Sequence, residues 1–131
     1  MSKIVTFEQS KRLQALGISI VSDCGYVGYT KSGELVSRRK FKEDRDYQLI
    51  PSWIRVFTVS EGLDWIREEK GIPCSVHLEF EENNKEWFYY GEYGIKGDNR
   101  VYDTETFDTH SLASSALLDA VLNYLEERTD V

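Results

Sequence analysis

Only two cysteines, Cys24 and Cys74, occur in 131 residues. Two isolated cysteines build neither the disulfide framework of a small secreted domain nor a zinc site. They read as small, reduced, packed residues. The N-terminal MSKIVTFEQSKRL holds no apolar run that could act as a signal peptide. No stretch approaches the ~20 apolar residues that a membrane helix needs. The expectation is a cytoplasmic protein with no membrane association. Positive charge is also short: 16 Lys and Arg stand against 23 Asp and Glu, a formal net charge of −7. A protein that grips the phosphate backbone needs a basic surface. The balance therefore argues against nucleic acid as the main partner, and an acidic surface favours a basic one.

Catalytic signatures are missing as well. There is no G-x-S-x-G for a nucleophile elbow, and no G-x-x-x-x-G-K-[ST] or G-x-G-x-x-G for a phosphate cradle. The glycines of GYVGYTKSGE fall in a hairpin rather than between a strand and a helix. Histidine is limited to His77 and His110. A metal site wants several ligands converging, and no cofactor or metal is expected here.

What is present is the material of one globular domain spanning residues 1–131. Hydrophobic residues make up 40% and charged residues 30%, with aromatics at 13%. Thr6 and Gln9 have capping-box spacing, and Gly17 suits a helix stop, so the first helix is expected over 6–17. A β-hairpin follows from Cys24 to Arg38, with Gly33 in its turn. Gly25 and Gly28 in its first strand suggest a bulge or a close backbone approach. Residues 39–55 swing from basic to acidic and read as a solvated connector of unassigned role.

The segment TVSEGLDWIREEKG, 58–71, predicts a second helix. Thr58 and Glu61 repeat the capping box, and Gly71 is its stop. Val59, Gly62, Leu63 and Ile66 share one face at 100° per residue. Trp65 lies off that stripe, beside Gly62, and is expected to be a buried packing anchor.

CSVHLEF alternates cleanly: Cys74, Val76, Leu78 and Phe80 point one way, and Ser75, His77 and Glu79 the other. EWFYYGEYGI carries rings on both faces, which predicts a central strand covered at least in part on both sides. With RVYDT it completes a three-stranded meander. The last helix is expected near 110–128. Its apolar face of Ala113, Ala116, Leu117, Ala120, Val121 and Tyr124 is widened by Leu118, Leu122 and Leu125. An arc past half the circumference implies burial on two sides, by the sheet and by another helix or subunit. Leu118, Leu122 and Leu125 are thus the possible subunit interface of a homo-oligomer, expected to be a dimer. The fold class is α+β: an antiparallel sheet of four to six strands, hairpin plus meander, with about three helices on one face.

For a polar site the candidates are His77 with Glu79 on a strand face, and His110 following Asp103 and Asp108. The aromatic run Trp87 to Tyr93 resembles a stacking platform for single strands, but Glu81, Glu82, Glu86 and Glu92 surround it, so packing is the better reading.

Three segments carry a resemblance. FEQSKRLQALG, TVSEGLDWIR and TFDTHSLASSALLDAVLNYLEE look like those of a group of small uncharacterised proteins from phages, prophages and mobile elements of Bacteroides-type gut bacteria. Phe7, Glu8, Gln9, Lys11, Leu13 and Gly17 match the first motif. Thr58, Leu63, Trp65, Ile66 and Arg67 match the second, with Gly62 where that group has alanine. Phe107, Asp108, Thr109, Ala116, Leu117 and Leu125 match the third, and residues 20–55 match nothing. The resemblance implies a genetic context and no chemistry. Three functions stand as expectations: a non-enzymatic accessory or protein-interaction protein, an acidic decoy imitating DNA toward a basic protein, and a small hydrolase or transferase using His77 or His110.

Overall fold

Helix α1 (Phe7–Ala15) is closed at its start by a reciprocal pair of bonds. The Thr6 hydroxyl accepts from the Gln9 backbone N–H, and the Gln9 side chain accepts from the Thr6 N–H. Gly17 follows at φ +95°, a conformation that costs a residue without Cβ little. The computed structural model describes residues 3–95 and 97–129.

The hairpin consists of β1 (Tyr26–Tyr29) and β2 (Leu35–Ser37), paired antiparallel. Its register shifts between Tyr26 and Gly28. A Cβ on Gly28 would lie 2.7 Å from the Ile54 carbonyl oxygen. The bulge and the close approach expected there are both present. The approach has a function in the fold: Tyr29 and Ile54 exchange backbone hydrogen bonds of 2.8 and 3.0 Å.

Residues 39–55 contain two short helices that the sequence pattern does not announce, α2 (Arg38–Glu43) and α3 (Arg45–Gln48). Neither has a buried residue, so the segment is solvated as expected. Trp53 gathers it, meeting Phe41 edge-on at 5.9 Å and Tyr47 at 6.4 Å. The Glu34 carboxylate accepts from the Tyr47 hydroxyl and the Lys40 ammonium, which together lower its pKa.

Helix α4 (Val59–Glu69) repeats the capping device with Thr58 and Glu61. Val59, Gly62, Leu63, Trp65 and Ile66 are all buried. Trp65 is 8% exposed and belongs to the main core, with the Lys70 ammonium 5.4 Å from its ring centroid.

The meander is β3 (Cys74–Glu81), β4 (Glu86–Gly94) and β5 (Val101–Phe107), in the order β3-β4-β5. Hairpin and meander form two separate sheets, not the single sheet expected from the sequence. A bulge between Tyr90 and Glu92 lets the Thr104 hydroxyl accept from the Gly91 N–H at 2.8 Å.

Helix α5 (His110–Thr129) lies on one face of the meander and packs on its other side against α4 and α1. Adjacent residues divide the work. Leu117 sits on Gly91 of β4, where an added Cβ would come within 2.7 Å of the Leu117 Cβ. Leu118 sits 3.6 Å from the corresponding position on Gly62 of α4. Leu118 and Leu122 are fully buried and Leu125 is 8% exposed within one chain. This corrects their assignment to a subunit interface: the second side of the wide apolar arc is filled by α1 and α4. Polar groups fix the contact. The Gln9 amide donates to the Ser115 carbonyl, the Ser115 hydroxyl and the Asp119 carboxylate at 3.0–3.2 Å.

The described residues include no helix long and apolar enough to cross a membrane. The architecture is α+β, with a two-stranded hairpin, a three-stranded meander and five helices among the described residues.

Candidate functional site

The meander has one face under α5 and one face without a helix on it. The strand register distributes the candidate residues between them. His77 pairs with Tyr90, Glu79 with Phe88, and Glu92 with Asp103. All of these point away from α5, because their neighbours Val76, Leu78, Tyr89, Gly91 and Tyr93 point toward it. β4 is the central strand, as expected, and cover on its second face is partial: Phe88 and Tyr90 are half-buried.

On this open face the His77 and Tyr90 rings stack at 5.4 Å. Desolvation raises the Tyr90 pKa first, and the carboxylates of Glu79, Glu92 and Asp103 add to it. Three of the four candidate residues, His77, Glu79 and Asp103, thus converge around a tyrosine. His77 Nε2 lies 3.0 Å from the Ser75 hydroxyl and 3.6 Å from a Glu92 oxygen. A serine–histidine–acid relay needs its serine and its acid on opposite ring nitrogens. Here both face the same nitrogen, on an open sheet surface.

His110 stands on the other side of the sheet. Its ring meets Tyr89 edge-on at 5.8 Å, and its Nδ1 lies 3.2 Å from the Ser114 hydroxyl. It borders an open cleft of about 600 Å³ that also contains Asp64, Arg67, Cys74 and Ser75. The Arg67 guanidinium is held there by Asp64 and donates to the Cys74 carbonyl at 2.8 Å. Burial pushes the Cys74 thiol up despite the adjacent arginine. A thiol kept protonated is a poor nucleophile. Among the described residues no group of three His, Cys, Asp or Glu is arranged to hold a metal ion.

The strongest surface feature is where the two sides of the meander end. Exposure along the inward-facing positions of β3 rises from 5% at Cys74 to 51% at Leu78 and 43% at Phe80. Trp87, across from Phe80, is 61% exposed, and their rings stand 5.2 Å apart. The cause is the docking position of α5. Its first residue, His110, meets Tyr89, so the strands continue past the helix start. Leu112, in the first turn of α5, is also exposed, at 47%. Sequence alternation placed Leu78 and Phe80 on the same face as Cys74 and Val76. The pattern was right about the face and silent about where the covering helix begins.

This overhang is framed by charge. Glu81, Glu82 and Glu86 surround the β3–β4 turn, and a shallow pocket at its base joins Glu81, Glu86, Trp87 and Asp108. Residues 74–108 carry nine carboxylates against three basic residues. The first 73 residues carry ten against twelve. The acid-rich turn is the one sequence signal that pointed to this end of the molecule. Comparison with protein-family models, with curated proteins and with solved structures returned no match for this chain.

Proposed function

We propose that this chain is a non-enzymatic protein-interaction protein, with the overhanging end of the meander as its working surface and a basic protein as its partner. The observation that carries the reading is the group Leu78, Phe80 and Trp87, exposed on one face of the meander next to the carboxylate-rich β3–β4 turn. Rings and aliphatic side chains left in water at one place mark interaction surfaces. The carboxylates steer a basic partner toward them. The helix motifs that resemble mobile-element proteins support an accessory role in such an element.

The test compares the wild-type chain with Phe80→Ser/Trp87→Ser as bait in a Bacteroides-type lysate. A basic protein retained by the wild type, lost from the variant and crosslinked to the β3–β4 hairpin is the expected result. Identical retention by both baits overturns the reading.

A second reading, the acidic decoy, is favoured by the concentration of carboxylates in residues 74–108. A decoy displaces DNA from its basic target. An ordinary interaction partner leaves that target on DNA, so one competition binding assay separates the two.

A further inference from the structure

The overhang is bordered by an open sheet edge. In the order β3-β4-β5, strand β3 pairs on one side only. Its first residue is occupied on the other side, because Arg67 donates to the Cys74 carbonyl. Beyond it, among the described residues, no backbone hydrogen bond reaches the outer side of Val76 to Glu81. An uncovered strand edge is a template for another strand.

The side chains along this edge specify what could pair there. Leu78 and Phe80 project to the apolar side of the sheet, and His77, Glu79 and Glu81 to the other. Residues of a strand added beside β3 alternate in the same way. Those level with Leu78 and Phe80 would extend the apolar overhang. Those between them would stand beside Glu79 and Glu81. A second copy of this chain fits less well, since antiparallel pairing of β3 with β3 centred on Glu79 or Phe80 sets glutamate against glutamate, and like charges across strands are destabilising. We propose that the His77–Glu81 edge receives an extended segment of a partner in which apolar residues alternate with Lys or Arg. This rests on the interaction reading of the same surface and names how the partner is held: backbone pairing for affinity, alternate side chains for specificity.

The experiment uses the full-length chain and synthetic eight-residue peptides that alternate valine or phenylalanine with lysine. Trp87 emission reports contact, since it is the most exposed tryptophan. A matched peptide carries N-methyl groups on alternate backbone amides, which keeps every side chain and removes the pairing donors. The expected result is saturable binding of the first peptide, its loss on N-methylation, and about fivefold weaker binding to Glu79→Lys, the scale of one exposed ion pair. Unfolding midpoints of the variant and wild type confirm that both are folded. Equal binding of the two peptides overturns strand addition. So does no binding of either at millimolar concentration, and so does a wild-type dimer that Phe80→Lys dissociates. A lysate protein lost from Phe80→Ser/Trp87→Ser while the peptides fail to bind overturns the strand inference alone and leaves the interaction reading in place.

Discussion

Gly91 and Leu117 meet where α5 crosses β4, and the missing side chain of Gly91 makes room for the leucine. A Cβ placed on Gly91 would lie 2.7 Å from Leu117 Cβ and 3.1 Å from its Cγ and Cδ1. Gly91→Ala is therefore expected to destabilise the fold by about 1–3 kcal/mol, the range of core overpacking. Chemical denaturation measures it. Because the nearest atom is a Cβ, Leu117→Ala in the same chain does not relieve the main clash. A double variant as stable as Leu117→Ala alone would contradict this geometry.

Trp65 is the largest side chain on α4 and is almost wholly covered. Trp65→Ala should cost about 3–5 kcal/mol, through lost burial and the cavity left behind. A loss below about 1 kcal/mol in urea unfolding would place the ring outside the core.

Two neighbours on α1 predict opposite signs. Gln9 is 1% exposed and satisfied by three acceptors on α5 and by its own cap. Gln9→Ala strands those partners and should cost about 2 kcal/mol. Ser10 is fully buried, and among the described residues its hydroxyl has no hydrogen-bond partner. Ser10→Ala removes that unpaired group and improves helix propensity, so it should stabilise the chain by about 0.5–1 kcal/mol. Paired denaturation curves distinguish a gain from a loss.

The Glu61 carboxyl carries a pH prediction. Burial raises its pKa, but the Ser22 hydroxyl at 2.6 Å and the Thr58 groups outweigh burial and leave it below the ordinary value. A carboxyl with a depressed folded pKa stabilises the fold fully above its unfolded pKa of about 4.3. That stabilisation is lost as pH falls through the folded value. Glu61→Gln keeps the capping geometry, as Gln9 does in α1, and removes the titration. The acid limb of a midpoint-against-pH plot should flatten in this variant. An unchanged limb below pH 4 would show that other groups dominate.

The overhang predicts tolerance. Phe80 and Trp87 are exposed, and their mutual ring contact is worth about 0.5–1.5 kcal/mol. Phe80→Ser/Trp87→Ser should remain folded, with a loss of about 1 kcal/mol. A collapse of the thermal transition would show that the hairpin end is structural.

Elements with short-range causes were legible in the chain. Thr6 with Gln9, and Thr58 with Glu61, announce helix starts because a cap is made by residues three apart. Gly28 announces a bulge or a close approach, because a glycine within a strand marks one or the other. The α2–α3 segment was not legible, because its helices are short, bury no residue fully and are tied down by Trp53 and Glu34 from outside. The polar candidates were half legible. Alternation placed His77 and Glu79 on one face. That Asp103 joins them, while His110 faces the opposite side, depends on the pairing of β4 with β5 across a bulge.

The sequence by itself determined the three longer helices, the hairpin and the meander, the alternation of side chains along β3 and the acidic balance, because periodicity and capping are local. Only the tertiary structure decided what meets what. It turned the wide arc of α5 into two intrachain contacts, Leu117 on Gly91 and Leu118 on Gly62. It also left Leu78, Phe80 and Trp87 in water, since where a helix docks along a sheet is set by packing at a distance. No repeating pattern within one segment records that offset.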